Sequence, residues 1–249
     1  MVKNIATLFS VIALLCSCSS DDNNSNPEPG SDSVPVTGSD PVPVTAPVKY
    51  VNKIIYVQDG ETTTTQIVYD DAMKITAYAS DATTLRFIYE NDRVVAIKNE
   101  NAIDPYALQY TNGILSGLNN FSIYYTVNYN ANDRSYTFEG GNYYSFGLTG
   151  KDILYTDTQG YRENFTYDTT KKGPFYSLKA QDIYPLTLFG YVYYYTSAAA
   201  ITSINITGTE ANKMYTAENT YDDAGYITSA ILRADGVETF RVQYEYIEK

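Results

Sequence analysis

The acidic side chains are the residues of this 249-residue chain whose type and spacing could do chemistry. Two carboxylates that face each other across a cleft can hydrolyse a glycosidic bond. Here the acids fall mostly in predicted turns, where an Asp usually hydrogen-bonds its own backbone two residues on. We therefore expect no catalytic residue. The turn acids are Asp59, Asp70, Asp71, Asp222, Asp223 and Asp235.

The chain contains no histidine and two cysteines, both near its start. The missing imidazole excludes Ser-His-Asp and Cys-His catalysis and the usual zinc sites with histidine ligands. Carboxylates alone could bind calcium, but neither Asp70-Asp71 nor Asp222-Asp223 follows the ligand spacing of an EF-hand. We expect neither a dedicated metal site nor a cofactor.

The acidic pairs belong to a segment that recurs along the chain. Residues 221–229 and 69–76 share a Tyr, a short polar turn, and a β-branched residue six positions after the Tyr. A period of about 20 residues accommodates two short strands with two turns, so each unit is predicted to be a β-hairpin. The second turn of each unit, the return turn, leads into the next copy. The dipeptides Asp59-Gly60, Asn112-Gly113 and Asp235-Gly236 are favoured in two-residue hairpin turns and are predicted to form return turns. Further copies start at Tyr89, Tyr110, Tyr129, Leu148, Tyr167 and Tyr195.

Alternation of apolar and polar residues predicts strands, and no amphipathic helical stretch competes with them. We therefore expect an all-β fold: a repetitive antiparallel β-hairpin meander, as a twisted sheet or small open barrel, of about ten or more strands. An edge strand at either end could then pair with another protein's strand. The residues from Lys171 to Leu188 fit the repeat worst and predict a longer loop or an irregular pair. The clearest strands are predicted at 52–58, 62–69, 83–89, 94–99 and 240–247.

The pattern Tyr-Asp-x-x-Gly-x-Ile/Leu-Thr, matched most fully by Tyr221 to Thr228, resembles the YD (Rhs-type) repeats, especially those of Bacteroidetes cell-surface lipoproteins. The resemblance covers most of the region from Tyr50 to Lys249, although Gly is missing after Tyr69, Tyr89 and Tyr195. It implies long antiparallel sheets, which in that family sometimes wrap into a shell.

Residues 1–17 are predicted to be a secretory signal peptide. Lys3 precedes an apolar run from Ile5 to Leu15, which is too short for a stable membrane span. The segment Leu15-Cys16-Ser17-Cys18 resembles the bacterial lipobox, and by that match the lipid is carried by Cys18. The alternative is an ordinary signal peptide with two incidental cysteines. If Cys18 carries the lipid and Cys16 leaves with the signal, no disulfide within one chain is left.

Residues 18–47 are predicted to be a lipidated, disordered tether. From Ser19 to Pro47 the chain has five acidic residues, no Lys or Arg, and many Pro and Ser residues. Such a segment cannot bury enough apolar surface to offset the conformational entropy that it would lose on ordering. The residues that follow the lipid site, Ser20, Asp21 and Asp22, resemble the Bacteroidetes signal for export to the outer face of the outer membrane. The alternative is that they are simply an acidic, solvated start of the tether. Ser33, between Asp32 and Val34, resembles an O-glycosylation site of that phylum.

Residues 48–249 have the composition of one globular β domain. The net charge of the chain is −12, and an acidic surface repels phosphates and anionic headgroups. We therefore expect no nucleic-acid binding, and membrane association only through the lipid on Cys18. We expect this lipid to anchor the protein in the outer membrane, and the export signal after it to expose the protein at the cell surface.

The 27 tyrosines, with no tryptophan, are the most unusual feature of composition. Tyr forms strands well and can bury its ring while its hydroxyl reaches water, which suffices for a thin repetitive sheet. The functional alternative is a stacking platform of exposed rings for a glycan or an envelope protein. Its candidates are Tyr124, Tyr143, Tyr191, Tyr193 and Tyr195.

These features predict a non-enzymatic surface lipoprotein whose β-repeat domain serves binding or envelope interaction. The alternative is a carbohydrate-binding accessory protein of a glycan-uptake system.

Overall fold

The computed structural model describes residues 47–102, 104–120, 123–140, 144–158, 160–178, 197–208 and 212–249. These residues form strands, turns and short irregular segments. None of them forms a helix that is long and apolar enough to cross a membrane. The sixteen strands are β1 (Lys49–Gln58), β2 (Glu61–Tyr69), β3 (Ile75–Ser80), β4 (Thr84–Glu90), β5 (Arg93–Asn99), β6 (Tyr106–Thr111), β7 (Ile114–Asn120), β8 (Ile123–Asn130), β9 (Ser135–Glu139), β10 (Tyr144–Thr149), β11 (Asp152–Thr158), β12 (Tyr161–Lys172), β13 (Ala199–Gly208), β14 (Lys213–Tyr221), β15 (Ile227–Ala234) and β16 (Val237–Glu248).

Each strand pairs antiparallel with the strands before and after it in the chain, and β1 pairs with β16 to close a barrel. The predicted all-β meander of ten or more strands is confirmed. The sheet is not open, however, because the register of β1 and β16 runs from Lys49 opposite Glu248 to Gln58 opposite Phe240. The edge strands expected at the two ends are therefore paired with each other.

The barrel consists of eight hairpins, each an odd-numbered strand followed by an even-numbered one. We call the end with residues 70–74, 91–92, 112–113 and 222–226 the tyrosine end, since the repeat tyrosines precede these turns. The opposite end, with residues 59–60 and 235–236, is the return end. Asn112-Gly113 was predicted to be a return turn, but it joins β6 to β7 at the tyrosine end because it follows Tyr110.

The two turns with the strongest sequence similarity have the same geometry. The Asp222 carboxylate accepts hydrogen bonds from the backbone N–H groups of Ala224 (3.0 Å) and Tyr226 (2.9 Å). The Asp70 carboxylate accepts the equivalent bonds from Ala72 (3.0 Å) and Lys74 (2.8 Å). These acids bind the backbone, as their predicted turn positions indicated.

A β-bulge follows the start of most odd-numbered strands at the tyrosine end. The register shifts between Val68 and Tyr69 where β2 meets β3, and between Thr220 and Tyr221 where β14 meets β15. Bulges increase local twist and bend the sheet, which helps a long meander to close. The same shift occurs where β4 meets β5, β6 meets β7, β10 meets β11 and β12 meets β13.

The inner face of the barrel is apolar. Its side chains form one hydrophobic cluster, and the alternation of strand side chains places one member on the inside every second residue. Buried residues on the inner face are Ile54, Ile67, Tyr78, Phe87, Ile97, Leu108, Leu118, Val127, Phe138, Phe146, Phe165, Ile204, Leu232 and Val242.

Residues 173–178 form a cap that leaves strand β12 at the tyrosine end. Phe175 is 0% exposed and Leu178 is 2% exposed, so the cap contributes to the core. The N–H of Gly173 donates to the carbonyl of Ala198 (2.8 Å), and that of Phe175 donates to Ser197 (3.0 Å). A longer loop or irregular pair was predicted from Lys171 to Leu188. Strand β12 continues to Lys172, residues 173–178 are irregular, and residues 179–188 lie outside the described part of the chain.

Candidate functional site

Only one of the candidate platform tyrosines lies among the described residues. Tyr124 is 49% exposed on the outer face of β8. Its hydroxyl donates to Oε1 of Gln109 (3.0 Å), and its ring covers Gly117, where an added Cβ would collide with it. Tyr124 therefore lies over a glycine of the neighbouring strand. Tyr143, Tyr191, Tyr193 and Tyr195 lie outside the described residues, as do Cys18, Ser20, Asp21, Asp22 and Ser33.

The repeat tyrosines have a common role in five of the eight hairpins. The hydroxyl of the Tyr near the end of an even-numbered strand donates to a backbone carbonyl near the start of the odd-numbered strand beside it. This bond satisfies a carbonyl at the bulge, where ladder pairing is interrupted. The five pairs are Tyr69 to Val51 (2.6 Å), Tyr89 to Ile75 (2.8 Å), Tyr110 to Val94 (2.7 Å), Tyr167 to Ile153 (2.7 Å) and Tyr246 to Ile227 (2.7 Å).

A basic side chain from one turn covers the repeat tyrosine of the next hairpin. Lys74 lies 5.6 Å from the centre of the Tyr89 ring, and Arg93 lies 4.7 Å from that of Tyr110. Such cation–π contacts tie successive hairpins together at the tyrosine end. The repeat Tyr is thus a structural residue, in line with the packing explanation for the tyrosine content.

A buried carboxylate anchors the cap. Asp152 accepts backbone hydrogen bonds from Ala198 (2.6 Å) and Ala199 (3.3 Å). Burial raises the pKa of Asp152 to about 6, while these hydrogen bonds and the charge of Lys151 lower it. The sequence reasoning missed this residue because nothing in the pattern Gly-Lys-Asp distinguishes it from an exposed turn acid.

A shallow groove of about 340 Å³ lies at the return end, between the start of β12 and the end of β13. The Arg162 guanidinium lies 3.8 Å from the centre of the Tyr155 ring. Its Nε donates to Oδ1 of Asn164 (3.2 Å), and its Nη1 donates to Oδ2 of Asp157 (3.5 Å). No sequence pattern marked this site, since its residues come from three strands. The groove is lined by Asp157, Gly160, Tyr161, Arg162, Thr207 and Gly208.

The outer face of the barrel is mostly polar and carries charges within the length of its strands. Lys53 pairs with Glu245 (2.8 Å), and Arg233 pairs with Glu218 (2.9 Å). Exposed or half-buried polar residues on this face include Gln66, Arg86, Lys98, Gln109, Thr126, Asn128, Arg162, Asn205 and Gln243. The large exposed apolar residues of the strands are spread around the barrel: Val68, Ile88, Ile123, Leu154, Met214 and Val237.

This polarity is the reverse of that in a barrel that spans a bilayer. Such a barrel has an outward apolar band about 25 Å tall and a polar interior, and a Lys or Arg at the bilayer midplane costs about 2–4 kcal/mol. Here the apolar residues face inward and the ion pairs face outward. The outer face of the described residues is thus mostly polar where that of a membrane-spanning barrel is apolar.

Among the described residues, no three His, Cys, Asp or Glu side chains are grouped closely enough to hold a metal ion. The acids with the clearest positions, Asp70, Asp152 and Asp222, bind backbone N–H groups.

No protein-family model matches the sequence, and no curated protein matches it. Among solved structures, a porin-like protein from Bacteroides uniformis ATCC 8492 is similar with a TM-score of 0.51 at 14% identity, over 79% of this chain and 98% of that one. A porin-like protein from Bacteroides vulgatus ATCC 8482 gives a TM-score of 0.47 at 14% identity, over 80% of this chain and 99% of that one. At such identity the first similarity concerns the barrel fold. The resemblance to YD repeats stays a prediction.

Proposed function

We propose that this chain is an outer-membrane lipoprotein whose closed barrel stands in water and acts by non-enzymatic binding or envelope interaction. The observation that carries the proposal is the polarity of the barrel, with ion pairs such as Lys53–Glu245 outside and Ile54 and Val242 buried inside. A barrel with this exterior would lose the hydration of its charges in a bilayer. Its attachment to the membrane therefore falls to the lipid predicted on Cys18.

The position of the chain's entry into the barrel fits a tether. Val48 and Lys249 exchange backbone hydrogen bonds of 3.2 and 3.0 Å at the tyrosine end, just outside the β1–β16 pair. The predicted tether, residues 18–47, thus joins the barrel at this end. At about 3.1 Å per residue for an extended Pro-rich segment, it could hold the barrel tens of ångströms from the membrane.

Cys18→Ala tests the proposal directly, with Cys16→Ala as the matched control. Each variant is expressed with the full chain in a Gram-negative host that processes lipoproteins, and the cells are fractionated. We expect wild type and Cys16→Ala in the membrane fraction and Cys18→Ala in the soluble fraction. A Cys18→Ala protein that stays in the membrane and needs detergent for release would contradict a barrel in water.

Surface display is tested separately by adding protease to intact cells. We expect the wild-type barrel to be lost from the surface, and a variant with Asp21 and Asp22 both changed to Ala to be protected. A wild-type protein untouched by external protease would remove the surface location but keep the lipid anchor.

Glycan capture is the second candidate function. It is favoured by the return-end groove, in which the carboxylate of Asp157 and the guanidinium of Arg162 lie beside Gly160 and Gly208. Tyr124 adds one exposed ring elsewhere on the outer face. A screen of the full chain against immobilised polysaccharides tests this candidate, and the absence of binding by folded protein would leave interaction with an envelope protein.

A further inference from the structure

We propose that the return-end groove binds a neutral sugar unit of a glycan through two neighbouring hydroxyl groups. The proposal rests on the second candidate function, glycan capture, and assigns it a place and a recognition mechanism. The groove is distinct from the tyrosine platforms predicted from sequence, since its residues are Asp157, Gly160, Tyr161, Arg162, Thr207 and Gly208.

The groove is held in shape by a close approach of two chain segments. An added Cβ on Gly208 would collide with the carbonyl oxygen of Gly160 and crowd the ring of Tyr161. The hydroxyl of Thr207 donates to the carbonyl of Arg162 (3.4 Å), which ties β13 to β12 beside the groove. The lack of a side chain at Gly208 thus permits this close approach while the flanking strands stay in ladder pairing, with Arg162 opposite Thr207 and Tyr161 opposite Gly208.

Arg162 is oriented before any ligand arrives. Its guanidinium rests on the Tyr155 ring and donates to Asn164 and Asp157, so the side chain needs little further ordering on binding. A guanidinium has five N–H donors, and these two contacts use the Nε and one Nη1 donor. The Arg162 side chain lines the groove, so its guanidinium brings N–H donors to the groove surface.

The chemistry of the lining matches a pair of adjacent hydroxyls. The Asp157 carboxylate accepts from one hydroxyl, and the Arg162 guanidinium donates to the oxygen of its neighbour. The groove is shallow and open, so it can contact one face of a single sugar unit without enclosing it.

The location of the groove suits a ligand that comes from outside the cell. The predicted tether joins the barrel at the tyrosine end, where Val48 and Lys249 are paired. Gly160 and Gly208 lie at the opposite end of the barrel. A glycan approaching from the medium therefore meets the groove before it meets the tether.

The test uses the full-length protein in detergent, immobilised dextran, mannan, xylan and levan, and the variants Asp157→Asn and Arg162→Lys. Asn keeps the shape of the carboxylate without its charge, and Lys keeps the charge of Arg162 without its planar donors. The matched control is Arg86→Lys, which changes another outer-face arginine paired to a carboxylate, Glu100 at 2.6 Å. Circular dichroism and thermal unfolding verify that each variant is folded.

We expect wild type and Arg86→Lys to bind at least one of these polysaccharides equally, and both groove variants to bind it at least about tenfold more weakly, as expected for the loss of a hydrogen bond to a charged group. Equal binding by the groove variants would overturn the groove assignment and leave glycan capture standing. No binding by folded wild type would overturn both. If Arg162→Lys does not fold, Asp157→Asn decides the outcome alone.

Discussion

The carboxylate of Asp152 accepts a 2.6 Å hydrogen bond from the backbone N–H of Ala198, a residue 46 positions further along the chain. The same stretch holds the cap, because Ala198 and Ser197 accept hydrogen bonds from Gly173 and Phe175. One buried acid therefore joins the start of β11, the start of β13 and the cap.

This acid should make the barrel more stable at mildly acidic pH than at neutral pH. Burial raises the pKa of Asp152 to about 6 in the folded chain, while an unfolded Asp has a pKa of about 3.9. Between these values the folded state holds a proton that the unfolded state has released. The resulting stability is fully present below about pH 4 and is lost as the pH rises through about 6, with a magnitude of about 3 kcal/mol.

Urea unfolding at pH 4.5, 5, 6 and 7 measures this dependence in wild type and Asp152→Asn. We expect Asn, which does not titrate, to flatten the profile. The control Asp235→Asn makes the same substitution at an acid in an exposed hairpin turn. An unchanged slope in Asp152→Asn would show that other groups produce the pH dependence.

Removing one repeat-tyrosine hydroxyl should weaken its hairpin. Tyr246→Phe leaves the carbonyl of Ile227 without its 2.7 Å hydrogen bond, and we expect the free energy of unfolding to fall by about 1 kcal/mol. Tyr124→Phe is the control, because that hydroxyl is exposed and bonds only a surface glutamine among the described residues; its effect should stay within about 0.5 kcal/mol. Equal effects in chemical denaturation would remove the special role of the repeat tyrosine.

Substitutions at the equivalent positions of the two similar turns should change stability in opposite directions. Gly225 has φ of 82°, and Met73 occupies the equivalent position with φ of 61°. An added Cβ on Gly225 meets no atom within 4 Å, so Gly225→Ala should cost only the backbone strain, about 1 kcal/mol. Met73→Gly relieves that strain and should leave the barrel at least as stable as wild type. Thermal unfolding of both variants measures the difference, and a stabilising Gly225→Ala would contradict it.

Adjacent residues of the cap should differ sharply in their contribution to stability. Phe175 is 0% exposed and Tyr176 is 47% exposed. Phe175→Ala removes a buried ring and should lower the free energy of unfolding by about 3 kcal/mol or more, whereas Tyr176→Ala should cost less than about 1 kcal/mol. Similar losses in urea unfolding would show that the cap does not complete the core.

The sequence predicted the parts of the fold that local chemistry decides. Alternation placed β2, β4 and β5 within a residue or two of their observed bounds, and the Asp-containing turns at residues 70 and 222 were recognised as copies. Closure of the barrel was not predicted, because it depends on the pairing of Lys49 with Glu248, which no local pattern encodes. The individual strands between Tyr106 and Lys172 were not delimited from the sequence, because their alternation is weaker.

The candidate sites were harder to predict than the fold. Tyr124 is exposed as expected for one member of its pair, since Tyr125 is buried. The groove around Arg162 was missed because it joins residues from β11, β12 and β13 that share no motif. The anchoring role of Asp152 was missed because its partners lie 46 and 47 residues away.

Closure through β1 and β16 also governs how the protein can be made. Lys53 and Glu245 meet across this seam although they are 192 positions apart in the chain, so the barrel cannot close until its last strand is in place. Until then both growing edges offer unpaired N–H and C=O groups, which are templates for aggregation. A chain that stops before Val237 would lack β16 and would keep those edges open.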